Sequence, residues 1–449
     1  MTTVPAPDPA SELRPPPLEA PPPLEASPPS EAPPTLEGPP LLAALHAARR
    51  IDPYPTYRAI RETDPLPVLE LAGRRITLVT RHADTAALFQ NPAFGHGHRE
   101  NISPFRPDGD TDDGLDSLLR ADPPHHTRLR RLASRAFTPS ALAALTADIT
   151  AFVTTLLDTA LAAGEVDAVT ALAQPTPLRV ICRLLGIPAA DEPIFGAWAE
   201  ALIRGIDPDF LLTPDDIAAR RQAQREMDDY FRELIARVRT RPGTDLLSHL
   251  VEIHLGDDTL TEGEILALCA VMLVAGQETT ANLIASGILA LLRNPDQLAL
   301  LRAGPGLVPT AVDEMLRHEA PVQFLPRTAL RDTEIDGRTF RRGEGALVLV
   351  GSAHRDPAVF ADPDRFLVTR YAGSAAGAAA GSAPVARHFG FGLGIHYCLG
   401  ATLARMETEI TFRLLLERTS ELALIGGPPV YRDQSTIRGL RELPVRLTA

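Results

Sequence analysis

One cysteine stands in a glycine-rich loop, Phe391-Gly392-Leu393-Gly394-Ile395-His396-Tyr397-Cys398-Leu399-Gly400, ahead of a helix-forming stretch. Gly392, Gly394 and Gly400 permit positive φ and close backbone approach, so amide N–H groups can turn toward the sulfur and cage an anion. The residues that follow, Ala401 to Ile410 and on through Phe412, Leu414, Leu415 and Leu416, favour a helix with an apolar face. Cys398 then sits near a helix N-terminus, where the dipole and free N–H groups favour thiolate over thiol. A metal-binding thiolate is the chemistry this arrangement suits. The same residues could instead make a buried structural cysteine, a zinc site from His388, His396 and Cys398, or a nucleophile with a histidine base. The spacing matches no standard zinc pattern and carries no local protease signature.

A second constellation is Ala275-Gly276-Gln277-Glu278-Thr279-Thr280, a carboxylate and two hydroxyls inside an apolar stretch. Such groups are costly to bury without partners or a purpose. Gly276 weakens the helix locally and Thr279 can bond back to the carbonyl of Ala275, so the turn can widen there. A solvent-facing notch is the plain alternative. Glu314 and Arg317 lie three apart on one helical face, an ion pair that any surface helix can form. In Asp122-Pro123-Pro124-His125-His126-Thr127-Arg128-Leu129-Arg130-Arg131, His126 and Arg130 share a face at i and i+4, by default a solvated basic one.

These groups need elements to hold them. Thr261-Glu262-Gly263-Glu264 is a capping box that opens a long apolar helix to Arg293; its unbroken apolar run, Ile265 to Gly276, is twelve residues, too short to span a bilayer, which predicts a buried central helix. Helical periodicity also marks Leu142 to Leu161, Ile217 to Val238 and Ile265 to Leu292. Val68 to Leu71 and Ile76 to Val79 read as a hairpin, and Asp336-Gly337 supplies a tight turn for another. The expected fold is mainly α with a small β portion. Residues 1–40 hold fifteen prolines and a tandem Pro-Pro-Pro-Leu-Glu-Ala repeat, predicting an acidic, extended, largely disordered tail ahead of one domain over 41–449. A Gly/Ala-rich insert at 372–383 reads as a flexible surface loop.

The chain has 449 residues, 45% of them apolar, enough for a sizeable core. Its net charge is -13 and all 44 basic residues are arginine, which argues against a general nucleic-acid binder. Cys182, Cys269 and Cys398 are far apart and suggest no disulfide framework, in keeping with a reducing cytoplasm. Met1-Thr2-Thr3-Val4-Pro5 lacks a basic region followed by an apolar run, so neither signal peptide nor membrane anchor is expected.

The cysteine segment closely resembles the haem-binding signature of the cytochrome P-450 family, F-G-x-G-x-H-x-C-x-G in its bacterial form, with every defining position present. The resemblance, to the actinobacterial biosynthetic type, implies the cytochrome P-450 fold as a single haem domain and haem b as cofactor. Cys398 would be the proximal ligand and His396 would reach a propionate, with Ala275, Gly276, Phe391, Gly392 and Gly400 against the haem. Ala275-Gly276-x-Glu278-Thr279 is similar to the family's A-G-x-E/D-T motif, which implies that Thr279 steadies dioxygen and Glu278 relays protons. By the D-P-P-x-H-T-R-x-R motif, His126 and Arg130 would bind propionates, joined by Arg327. Glu314 and Arg317 would form a buried pair completed by Arg365 of Pro363-Asp364-Arg365-Phe366. His354-Arg355-Asp356-Pro357 departs from the commoner Asn-Arg-Asp-Pro. Leu268, Met272, Ala275, Val322, Phe324, Leu325, Thr436 and Ile437 would contact substrate, under lid loops at 95–118 and 203–213.

The implied activity is a monooxygenase that inserts one atom of dioxygen into a lipophilic small molecule, such as a polyketide, macrolide or terpenoid, by hydroxylation or epoxidation. No flavin or iron–sulfur module fits after the cysteine helix, so electrons would come from a separate ferredoxin and its NAD(P)H-dependent reductase. Arg128, Arg131, Arg135 and Arg405 would offer the ferredoxin a basic patch. The expected protein is a soluble cytoplasmic monomer with no membrane or nucleic-acid partner. Oxidative coupling or ring closure without oxygen insertion is the alternative on the same fold, and a haem sensor or binding protein the remaining one.

Overall fold

The protein is described by a computed structural model that covers residues 51–449 apart from 72, 106–117, 136, 138, 208–211, 256–257 and 374–384. The proline-rich tail, most of the Gly/Ala insert and parts of both lid loops lie outside the described residues.

Helix Glu262–Arg293 runs through the middle of the core. It opens on the capping box: Glu264 N donates to Thr261 Oγ1 (3.2 Å) and Thr261 N to Glu264 Oε2 (2.8 Å), worth about 1 kcal/mol. From Ala281 to Leu291 every side chain is buried. Helices Pro175–Leu184, Glu192–Arg204, Pro214–Thr240, Val308–His318 and Ala401–Arg418 pack around it. Gly287 lets two of them approach closely: an added Cβ would lie 2.7 Å from both Met315 Sδ and Phe412 Cζ. Helix Pro139–Ala163 lies along Ala401–Arg418. By length and composition, Leu142–Ala163 and Glu262–Arg293 could each cross a membrane, but the second is mostly enclosed by the helices around it.

A five-stranded sheet has the order Val68–Leu71, Arg74–Val79, Gly345–Leu349, Phe324–Ala329, Phe94–Gly95, antiparallel except between Arg74–Val79 and Gly345–Leu349. The turn between Thr333–Ile335 and Arg338–Phe340 has positive φ at Asp336 (44°) and Gly337 (76°), the geometry a two-residue hairpin requires. A smaller sheet joins Glu421–Leu424, Pro444–Thr448 and Glu165–Asp167. The periodic stretches named from sequence lie inside Pro139–Ala163, Pro214–Thr240 and Glu262–Arg293, and the fold is mainly α with a small β portion, as expected.

Candidate active site

The cysteine loop is fixed by its own backbone and by side chains from elsewhere in the fold. Gly392 (φ 69°) and Gly394 (φ 74°) occupy the left-handed region, and a Cβ at Gly394 would run into the carbonyl oxygen of Phe89. Cys398 N donates to Phe391 O (2.9 Å) and Gly392 N to Phe389 O (2.8 Å). Upstream, Phe389 N donates to His354 Nε2 (2.7 Å) and Gly390 N to His388 Nδ1 (3.1 Å). His388 Nε2 in turn donates to Asp313 Oδ1 (2.8 Å) on helix Val308–His318, where Arg405 also binds. His354, the departure from Asn-Arg-Asp-Pro, thus serves as a hydrogen-bond acceptor for the loop.

The chain's own groups do not by themselves favour the thiolate expected from the helix start. Burial raises the Cys398 thiol above its ordinary pKa, and the Gly400 amide and Arg130, which pull it down, do not overcome burial. A cation at the sulfur is what makes the thiolate the stable form.

A largely apolar cavity opens from Cys398 toward the central helix and strand Phe324–Ala329. Leu268, Met272, Ala275, Gly276 and Thr279 line it from the helix, Val322, Phe324 and Leu325 from the strand side, and Phe391, Gly392 and Gly400 from the loop. Thr436 reaches the wall; Ile437 does not, being packed in the core while its backbone bridges to Val322. Thr279 Oγ1 donates to Ala275 O (2.5 Å), the back-bond expected from sequence. Glu278 is absent from the wall: it is 3% exposed, accepts from Asn282 Nδ2 (3.1 Å) and lies 3.5 Å from Arg432 Nε.

Basic side chains crowd the far end of the cavity. The rings of His126 and His396 are 4.2 Å apart, and Arg130 and Arg327 line the same end. Burial, followed by Arg327 and His126, pushes His396 down to about 3, and burial brings Arg327 down to about 10. Among the described residues, Nε2 of both His126 and His396 is buried without a partner. Buried donors facing one another with no acceptor are expensive, and two carboxylates would satisfy them. Together with Cys398 and the apolar walls, these donors fit a haem with its propionates at the cationic end.

The buried Glu314–Arg317 pair is present, both side chains at 0% exposure: Arg317 Nε donates to Glu314 Oε2 (2.7 Å) and Arg317 to the carbonyls of His354, Pro363 and Arg365. Its third member is Arg370, not Arg365. Arg370 Nε donates to both Glu314 oxygens (3.1 and 3.0 Å), whereas the Arg365 side chain is 66% exposed and reaches only Asp362 at 3.8 Å. Arg365 contributes its backbone carbonyl. The proposed basic patch is also narrower: Arg128 is held by Asp258 and Glu264, Arg405 by Asp313, while Arg131 is 61% exposed with a long contact to Asp258.

A caged cysteine, a threonine hydroxyl on the wall of an apolar cavity and a cationic end suited to two carboxylates define a haem-thiolate oxygenase. The family model described as Cytochrome P450 matches residues 33–303 and 306–424. Cytochrome P450 monooxygenase PikC of Streptomyces venezuelae is 39% identical over 413 residues, 90% of this chain and 93% of that protein. The 6-deoxyerythronolide B hydroxylase of Saccharopolyspora erythraea is 34% identical, covering 88% and 96%. Among solved structures, the bacillaene polyketide synthase cytochrome P450 PksS of Bacillus subtilis 168 superposes with a TM-score of 0.78 at 33% identity, covering 88% of this chain and 97% of that one. The chain belongs to the cytochrome P450 family. It is a haem-dependent monooxygenase whose cofactor is haem b with Cys398 as axial ligand.

Proposed function

We propose that the enzyme hydroxylates or epoxidises a lipophilic natural product of the polyketide or macrolide kind, taking electrons from a separate ferredoxin and its NAD(P)H-dependent reductase. The observation that carries the proposal is the apolar wall of Leu268, Met272, Val322, Phe324 and Leu325 bringing a hydrocarbon surface to the same cavity as Cys398 and Thr279. The relative named for hydroxylation of 6-deoxyerythronolide B supports the same substrate class. The enzyme acts as a cytoplasmic monomer.

Cys398 would hold the haem iron as a thiolate, and the haem would supply reductive activation of dioxygen. The chain's residues do the rest. The apolar wall excludes water and orients the substrate. The Thr279 hydroxyl holds a proton at the cavity wall, anchored on the Ala275 carbonyl. Glu278 faces Arg432 and Asn282, so it reaches Thr279 only by rotating away from Arg432. His126, Arg130, Arg327 and His396 hold the propionates. On the outer surface Arg131 and Arg135, both exposed, offer the ferredoxin its cationic contact.

The first experiment is the reduced carbon monoxide spectrum of the purified protein beside Cys398→Ala, followed by substrate-induced spectral shifts over a panel of lipophilic compounds. The thiolate-specific band is expected in the wild type and absent from the variant. Turnover of a shifting compound under labelled dioxygen should place one labelled atom in the product. Unlabelled product would reassign the enzyme to coupling or ring closure.

A further inference from the structure

We propose that His96 is a further haem-binding residue, an imidazole donor to the propionate carboxylates that none of the sequence motifs marks. His96 follows the edge strand Phe94–Gly95, which pairs antiparallel with Phe324–Ala329 in the register Gly95↔Thr328. Continuing that register sets His96 opposite Arg327, and opposed residues of an antiparallel pair share a face. Its ring centroid is 5.0 Å from that of His396, which is 4.2 Å from His126. Three imidazoles thus meet beside Arg130 and Arg327; His96, His396 and both arginines line the cavity, and His126 packs against His396 behind it.

The backbone around His96 is held from several directions. His96 N donates to Asp122 Oδ1 (2.8 Å), Gly97 N to Asp122 Oδ2 (2.8 Å), and Thr328 Oγ1 donates to His96 O (3.0 Å). Asp122 lies just ahead of helix His125–Ser134, so one carboxylate ties the segment bearing His96 to the helix bearing His126 and Arg130. Neither flanking glycine can be replaced freely: a Cβ at Gly95 would lie 2.8 Å from Leu330 Cδ1, and one at Gly97 (φ 68°) would lie 2.7 Å from Ile102 Cγ1. Three hydrogen bonds fix the backbone that carries this side chain, yet the residue is 9% exposed and its Nε2 has no partner among the described residues. Burial, with Arg327 and His396 next in weight, holds His96 well below the usual histidine pKa, so it is neutral and donates through one N–H. Among the described residues, the groups that bear most on the ring, Arg327, His396, His98 and Arg120, are all basic, and propionates would supply acceptors for them.

The test uses the holoenzyme with His96→Leu and His96→Gln, the second restoring a donor. Haem transfer to excess apomyoglobin should be about tenfold faster from His96→Leu than from wild type, the loss of one hydrogen bond to a charged group, and His96→Gln should recover most of the difference. The propionate bending bands in the resonance Raman spectrum should shift in His96→Leu and return toward their wild-type positions in His96→Gln. Failure of His96→Leu alone to load haem would also support the assignment. Wild-type release rates and bands in His96→Leu, or a glutamine variant that behaves like leucine, would overturn it. Haem loading of the wild type tests the family cofactor, whereas only the difference between variants tests His96.

Discussion

Thr279 presents a hydroxyl to the cavity from a largely apolar helix face that it shares with Thr280, and the Ala275 carbonyl fixes its direction. Thr279→Ala should leave substrate-induced spectral shifts intact while product formed per NAD(P)H consumed falls about tenfold or more. Thr279→Ser should keep most of the yield. Assays of product and cofactor consumption on the same samples decide it. Cys398, Thr279, His126 and Arg130 were legible because each belongs to a short contiguous pattern whose local geometry is self-contained. Glu278 was legible as a polar interruption but not in its direction: one residue further round the helix points toward Arg432, a partner 154 positions away that no local pattern shows. Ile437 and Thr436 illustrate the same limit, since alternate residues in an extended segment face opposite ways and only packing says which faces the cavity.

At the scale of elements, the Glu314–Arg317–Arg370 cluster ties helix Val308–His318 to the segment after it. Arg370→Ala removes a partner from a carboxylate at 0% exposure and should cost about 3–5 kcal/mol in urea unfolding, whereas Arg365→Ala should stay within about 0.5 kcal/mol. Sequence offered two arginines five residues apart, and the one nearer the expected motif turned outward. The hydrogen bond from the Phe389 amide to His354 predicts a pH effect. Burial, then His388 and Arg317, hold the His354 pKa well below that of an exposed histidine. The unfolded chain therefore binds this proton more tightly than the native state does. Stability is complete above about pH 6.5 and is lost as pH falls below it, by up to about 1.4 kcal/mol per pH unit from this group. Protonation would also place a donor against the Phe389 amide. Urea midpoints between pH 7 and 5 should slope less for His354→Asn, which keeps an acceptor and does not titrate.

For the molecule as a whole, the helix pattern was readable because the apolar stripes are long and capped, while the five-stranded sheet was not, since its central pairing joins Arg74–Val79 to Gly345–Leu349 across most of the chain. Only the local hairpin at one edge had a sequence signal. The surface charge yields a kinetic prediction: with Arg128 and Arg405 occupied by carboxylates, charge reversal at Arg131 and Arg135 should slow ferredoxin-driven reduction severalfold at low salt, an effect that fades as ionic strength rises. Stopped-flow reduction under carbon monoxide reads it directly. The two cysteines away from the haem carry a practical consequence. Cys182 and Cys269 are both 0% exposed, with burial pushing the Cys182 thiol up to about 12 and the Cys269 thiol upward as well. With no lysine in the chain and Cys398 committed to iron, a single cysteine placed on the surface becomes the one addressable handle for a fluorophore or spin label, and amine reagents find only the N-terminus.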